Sequence, residues 1–198
     1  MRITETAIPG LLIIDLDVHG DNRGWFKENW QRENLTSLAP ELASFQPVQN
    51  NISFNHAGAT RGLHAEPWDK LISVAQGKIF GAWCDLREGS ESFGEVITHE
   101  IGPETAVFVP RGVANGFQAL EETSYCYLVN EHWSAEARYA AVNLNIVDWP
   151  LEPTEISEKD KQHPDLAEVS PMPARRILVT GATGNHGSAL LRALGADP

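Results

Sequence analysis

The chain has 198 residues, 42% hydrophobic and 21% charged, which suits one globular domain with a fragment of a second. Its formal charge of −12 argues against duplex nucleic acid and anionic membrane surfaces as partners. Two cysteines, Cys84 and Cys126, sit in apolar strand-like stretches, so a disulfide framework is not expected and a reducing compartment is.

The first ten residues lack the basic-then-apolar plan of a secretory signal, and no apolar run approaches the roughly 18 residues of a membrane span. A cytoplasmic protein with no membrane partner is expected. Residues 11–18 form the first strand candidate, closed by Gly20-Asp21-Asn22-Arg23-Gly24, and 25–30 form the next. Across 31–45, Leu35, Leu38, Leu42 and Phe45 recur at three- and four-residue spacing and predict one or two helical turns. Residues 48–54 read as a strand and 55–58 as a loop. The clearest hairpin joins 71–75 to 79–85 through Gln76-Gly77. Strands at 96–101, 106–109, 116–120 and 124–129 follow, with turns at Gly102-Pro103 and Glu121-Glu122. Many short strands with glycine and proline punctuation predict an all-β jelly-roll sandwich or barrel with a few short helices. Its cavity is the place for a site.

From 151 the chain turns polar, 170–174 reads as a linker, and 175–198 reads as a strand, a glycine loop and a helix start. Gly181, Gly184 and Gly187 have the spacing that lets a pyrophosphate approach a helix N-terminus. This segment resembles the opening of extended short-chain dehydrogenase/reductases. No second strand follows to carry a ribose-binding acid, so dinucleotide binding is not expected. The expected organisation is a domain over 1–169, a linker over 170–174 and a truncated fragment over 175–198.

Chemistry-bearing residues fall in ordered motifs. Gly20-Asp21-x-Arg23-Gly24-x-Phe26-x-Glu28 comes first, then Thr60-Arg61-Gly62-Leu63-His64 leading to Lys70-Leu71. Asp85-Leu86-Arg87-x-Gly89-Ser90, Pro110-Arg111-Gly112-Val113-Ala114-Asn115-Gly116-Phe117, Tyr125-Cys126-Tyr127-Leu128 and Ser157-x-Lys159-Asp160 complete the series. Over roughly 1–168 these resemble the dTDP-4-dehydrorhamnose 3,5-epimerase family, which is similar to cupins in fold. The resemblance implies a cupin-type jelly roll and a dTDP-linked 4-keto-6-deoxy sugar as substrate, inverted at C3 and C5. It also implies no cofactor, a homodimer, and a separate reductase of the same pathway as a partner. The reductase-like tail is consistent with that partner.

The chemistry can be argued on its own terms. C3 and C5 flank the C4 ketone, which acidifies their protons, so the reaction needs a base on one face, an acid on the other and stabilisation of the enolate oxygen. By resemblance, His64 is the base, Asp160 the carboxylate that orients and polarises it, and Tyr127 the acid. Lys70 and Arg61 are the positive groups near the enolate and diphosphate. Arg23, Glu28, Gln49, Asn51, Asn115 and Lys159 are the remaining substrate-binding positions, and Trp133 is a candidate to stack on a base. Strand periodicity alone puts Tyr125 and Tyr127 on one face and does not choose between them. Arg23, Arg61 and Lys159 have the plain alternative of surface charges.

Asn115 departs from the family, which usually has histidine there, and the loop from His64 to Lys70 is shorter than usual. Two rivals stand beside the enzyme reading. A metal-dependent cupin needs about three histidines and a glutamate, and His64, Glu66 and Asn115 do not supply them, so no metal is expected. A non-catalytic sugar-nucleotide-binding module, or the remnant of a fused enzyme, would fit Asn115 and the short tail. Retention of His64, Lys70, Tyr127 and Asp160 together argues against it.

Overall fold

A computed structural model of the chain describes residues 1–173; the expected glycine-loop fragment at 175–198 lies outside the described residues. The strands are β1 (Arg2–Glu5), β2 (Leu12–Asp15), β3 (Val18–Asp21), β4 (Gly24–Lys27), β5 (Gln49–Asn55), β6 (Thr60–Ala65) and β7 (Lys70–Gln76). They continue as β8 (Ile79–Asp85), β9 (Val96–Ile101), β10 (Thr105–Val109), β11 (Val113–Ala119), β12 (Thr123–Val129) and β13 (Ala140–Ala141). One helix, α1 (Arg32–Leu38), precedes β5.

Two antiparallel sheets face each other. One runs β1-β2-β10-β7-β12-β5 and the other β13-β6-β11-β8-β9, while β3 and β4 form a separate hairpin. From β5 onward nearly every step along the chain changes sheet; β8 and β9 are the consecutive pair that stay together. This alternation is the jelly roll expected from the strand spacing.

Strand parity explains the packing. On β10, Val107 and Val109 point between the sheets, where they meet Ile72, Val74, Trp83, Val113 and Phe117. Ala106 and Phe108 point outward, under Leu35, Ala39, Leu42 and Phe45 of α1 and the turn that follows it. The second sheet is covered likewise, with Leu63, Ala65, Ala82, Cys84 and Ala114 beneath Val142, Leu144, Val147, Val169 and Met172. Both faces of the central strands are therefore buried, and they read as continuous apolar runs rather than alternating ones. Each aliphatic side chain so buried contributes about 1.5–3 kcal/mol.

Three expectations change. The strands 71–75 and 79–85 do not pair with each other, because β7 lies between β10 and β12 while β8 lies between β11 and β9. The intervening Gly77, at φ +87°, turns the chain across the edge of the sandwich against the backbone of Glu122 and Thr123. The stretch 11–18 divides into β2 and the start of β3, since the chain leaves the sheet to make the projecting hairpin. The helical pattern over 31–45 breaks at Pro40, whose ring disfavours helix in Ala39. A short 3-10 turn, Pro40–Ser44, carries on from there, and Leu38 stays 49% exposed. Three strands had no clear signal, β1, β6 and β13, and β3 runs on into the stretch expected as a turn. Among the described residues no helix is long and apolar enough to cross a membrane.

Candidate active site

Strand β6 delivers the central histidine. Leu63 and Ala65 point out into the apolar layer, so His64 points in, toward the space between the sheets. Directly across on β11 stands Asn115. The approach of the two strands depends on Gly62, at φ +117°, where a Cβ would fall 2.5 Å from the Cα of Gly116. The same residue's N–H donates to Asp160 Oδ2 at 3.1 Å.

Asp160 comes from far along the chain, on the 3-10 turn Asp160–Gln162. Its Oδ1 lies 2.8 Å from His64 Nε2. Burial pushes this carboxyl up, but hydrogen bonds from His64 and Gly62, the His64 charge and Ser157 outweigh it and hold the group down to about 2. Asp160 is thus ionised and can only accept, so the hydrogen of the pair belongs on Nε2 and the free lone pair of His64 on Nδ1. His163, one step beyond that turn, packs its ring edge-to-face on His64 with centroids 5.1 Å apart. Burial, and then the neighbouring His64, hold His163 below the ordinary histidine value.

The opposite wall is β12, whose Tyr125 and Tyr127 share the inward face. They differ in surroundings. Tyr125 stacks on Phe117 at 4.3 Å, is buried, and accepts a hydrogen bond from Asn115 Nδ2 at 3.3 Å. Tyr127 is half-buried, and its hydroxyl has no hydrogen-bond partner among the described residues. Burial and the Glu66 charge raise its pKa against the pull of Arg61, which keeps the phenol protonated. Lys70, buried on β7, pairs with Glu66 and holds its ammonium 5.4 Å from the Tyr127 ring centroid. Arg61 Nε donates to Asn55 Oδ1 at 2.7 Å. His64, Asp160, Asn115, Tyr125, Tyr127, Glu66, Lys70 and Arg61 line a cavity of about 530 Å³ that opens to solvent. It has a hydrogen-bonded imidazole–carboxylate pair on one side and a free phenol on the other, with Arg61 on the strand of His64 and Lys70 on the strand next to that of Tyr127.

The profile of the dTDP-4-dehydrorhamnose 3,5-epimerase family matches residues 5–168. The chain belongs to that family. It is 52% identical over 176 residues to the protein RmlC homolog of Streptococcus pyogenes, covering 83% of this chain and 89% of that one. It is 32% identical over 184 residues to the dTDP-4-dehydrorhamnose 3,5-epimerase of Pseudomonas aeruginosa, covering 87% of this chain and all of that one. Among solved structures it is similar to RmlC from Streptococcus suis in complex with dTDP-D-xylose. There the TM-score is 0.80 at 48% identity, over 87% of this chain and 94% of that one. The chain is an isomerase of this epimerase family, with the family's cupin-like jelly roll.

Of the positions that the family resemblance singles out, His64, Asp160, Tyr127, Asn51, Arg61, Lys70 and Asn115 line the one cavity. Gln49 stands just behind, donating to Asn51 Oδ1 at 2.8 Å. Arg23 and Glu28 do not line it. Arg23 is at the tip of the β3–β4 hairpin, paired with Asp21, and Glu28 follows that hairpin beside Asn34. Lys159 and Trp133 are exposed and do not line the cavity, although Lys159 directly precedes Asp160. The cupin-type metal set fails to assemble: Glu66 is held by Lys70, and Asn115 donates to Tyr125. Two neighbours of these residues were not among the expected catalytic or substrate-binding positions. Glu66 as the ion-pair partner of Lys70 was visible as a spacing of four, and His163 as a histidine three residues after Asp160.

Proposed function

We propose that the protein epimerises dTDP-4-dehydro-6-deoxy-D-glucose at C3 and C5 to dTDP-4-dehydro-L-rhamnose, with His64 as base and Tyr127 as acid. One observation carries this reading: the His64–Asp160 pair and the Tyr127 phenol project from opposing sheets into one cavity. Nδ1 of His64 takes the proton from the carbon beside the ketone, the electron pair moves into the enolate, and the imidazolium is stabilised by Asp160. Lys70 sits where it can offset the enolate charge. Tyr127 gives its hydroxyl proton to the other face of the same carbon. Exchange with water returns a proton to Tyr127 and removes one from His64, and the cycle repeats at the second carbon. Arg61 and Lys70 supply the local positive charge for the diphosphate despite the overall −12.

The same reading places the protein in the cytoplasm, which suits its two free, buried thiols. A reductase of the pathway is the partner that consumes the 4-ketone. A homodimer reconciles Arg23 and Glu28 with nucleotide binding: standing outside their own chain's cavity, they reach substrate only in a second copy. Exposed apolar side chains fit such a contact, Trp25 and Phe26 on the hairpin at 49% and 65% and Ile52 and Phe54 on β5 at 69% and 55%.

The test is incubation with the 4-keto sugar nucleotide in deuterated water, following C3 and C5 by NMR. Deuterium enters both positions, and His64→Ala abolishes the uptake. Tyr127→Phe keeps exchange on one face and loses the inverted product. Tight binding with no uptake in the unaltered protein would refute catalysis and leave a binding module.

A further inference from the structure

Behind the catalytic pair lies a side chain with no assigned task. His163 is 7% exposed at the side chain, and neither ring nitrogen has a hydrogen-bond partner. Buried polar atoms are nearly always paired, so two idle nitrogens on one buried ring call for a reason. Nε2 of His163 stands 3.7 Å from Asp160 Oδ1, and Asp160 Oδ1 stands 2.8 Å from His64 Nε2. One donor atom from each of the three residues lies within 4.8 Å of the others. The convergence has a local cause. Asp160 and His163 are three residues apart across a single 3-10 turn, the spacing at which side chains eclipse. His64 then meets them from β6.

We propose that His64, Asp160 and His163 form an inhibitory site for a divalent transition-metal ion of the zinc class. Two imidazoles and a carboxylate, with a fourth position open, make a zinc donor set, and imidazole ligands disfavour magnesium and calcium. Ligand atoms about 2.0–2.1 Å from a tetrahedral ion are roughly 3.3 Å from one another, so the two separations of 2.8 and 3.7 Å need only small adjustments in opposite directions. His64, 38% exposed at the side chain, gives the ion a way in from the cavity.

Inhibition follows from the tautomer. Coordination uses the lone pair of Nε2, so the single ring hydrogen of His64 moves to Nδ1, the atom that accepts the sugar's proton in the unliganded enzyme. Asp160 exchanges a hydrogen bond for a bond to the ion, and no net proton is released by the ring. The metal in this scheme removes the base and is not a cofactor. The inhibitory effect rests on the reading of His64 as base, whereas occupancy of the site does not, and the two are measured separately.

Full-length protein freed of metal by a chelator is titrated with Co²⁺, whose visible absorption reports coordination geometry, and Zn²⁺ is then added to displace it. A saturable, intense band at one ion per chain is expected, bleached by Zn²⁺ and absent with Mg²⁺. His163→Ala and His163→Gln weaken the binding by at least about tenfold, the loss seen even when only an outer partner of a metal is removed. In the unaltered protein, ¹⁵N signals of two histidine rings shift on adding Zn²⁺, a readout that needs no variant. Deuterium uptake at C3 and C5 falls with the same Zn²⁺ midpoint and returns with EDTA, while His163→Ala keeps its uptake at that zinc level. A missing band, or one unchanged in both His163 variants, overturns the site. Uptake that needs the metal overturns the inhibition. Absence of uptake at every metal level would instead defeat the epimerase reading, with the cobalt band still deciding the site.

Discussion

At the scale of single residues, the ionised Asp160 sets what His64 can do. A carboxylate held to about 2 offers two acceptors and no donor, which fixes one tautomer of the imidazole and favours its protonated form once a proton has been taken. Asn in this place keeps the shape but removes the charge and presents an amide donor to Nε2, which stabilises the wrong tautomer. Asp160→Asn is therefore predicted to slow deuterium uptake by about 10³–10⁴-fold, as in other imidazole–carboxylate pairs, while circular dichroism stays that of the folded protein. A loss of less than about tenfold would show that the carboxylate does not orient the base. Strand alternation gives Tyr125 and Tyr127 the same face, so in sequence the choice of Tyr127 as acid rests on the family resemblance. In the structure the cross-sheet neighbours separate them, Phe117 stacking on the first and leaving the second half-open to the cavity.

At the scale of elements, the end of β8 shows a second use of a buried carboxylate. Asp85, fully buried, accepts from the Arg87 backbone N–H, from Arg87 Nε and Nη2 and from the hydroxyls of Ser90 and Ser92, at 2.6–3.0 Å. Burial pushes its carboxyl up, but these hydrogen bonds outweigh it and bring it to about 2. The Asp85-Leu86-Arg87 motif is thus a closed turn that also anchors the chain at Met172, which pairs with Arg87. Asp85→Asn is predicted to destabilise the fold by about 3 kcal/mol in denaturant titrations at pH 7, the scale for breaking one side of a buried pair. Because its folded pKa lies below the unfolded value of about 4, Asp85 contributes fully above that pH, and the contribution is lost as pH falls toward 2. The deficit of Asp85→Asn should therefore shrink as pH falls from 5 toward about 2. A constant deficit would assign the loss to packing.

The jelly roll itself was legible at this scale because strand lengths and turn residues carry it. Pairing was not: Gln76-Gly77 between two apolar runs is the signal both of a hairpin and of a sandwich corner, and only the contacts of β7 with β10 and β12 decide. Strand β6 was hidden because its run Arg61-Gly62-Leu63-His64 interleaves cavity-facing polar residues with a glycine that a neighbouring backbone requires. His163 was missed because no strand or extended helix pattern surrounds it; a single 3-10 turn held by local hydrogen bonds sets it beside Asp160, and only the fold brings His64 to meet them.

At the scale of the whole molecule, the cavity gathers its chemistry from both sheets, yet two positions that the family resemblance assigns to the nucleotide stand outside it. Arg23 and the hairpin that bears it project from the sandwich, with Trp25 and Phe26 exposed beyond what a solvated hairpin needs. If each cavity takes its hairpin residues from a second copy, a dimer holds two composite sites. Arg23→Ala then damages the cavity across the interface, and His64→Ala damages its own. Either variant alone has two defective sites per dimer. After equal amounts are mixed and allowed to exchange subunits, half of the dimers are mixed, and each of those carries both lesions in one cavity and neither in the other. Deuterium uptake should therefore recover to about one quarter of the unaltered rate. A Trp25→Ser, Phe26→Ser double variant of each chain, monomeric by sedimentation, should show no such recovery. If the mixture has only the average activity of the separate variants, the hairpin serves its own chain or no nucleotide at all.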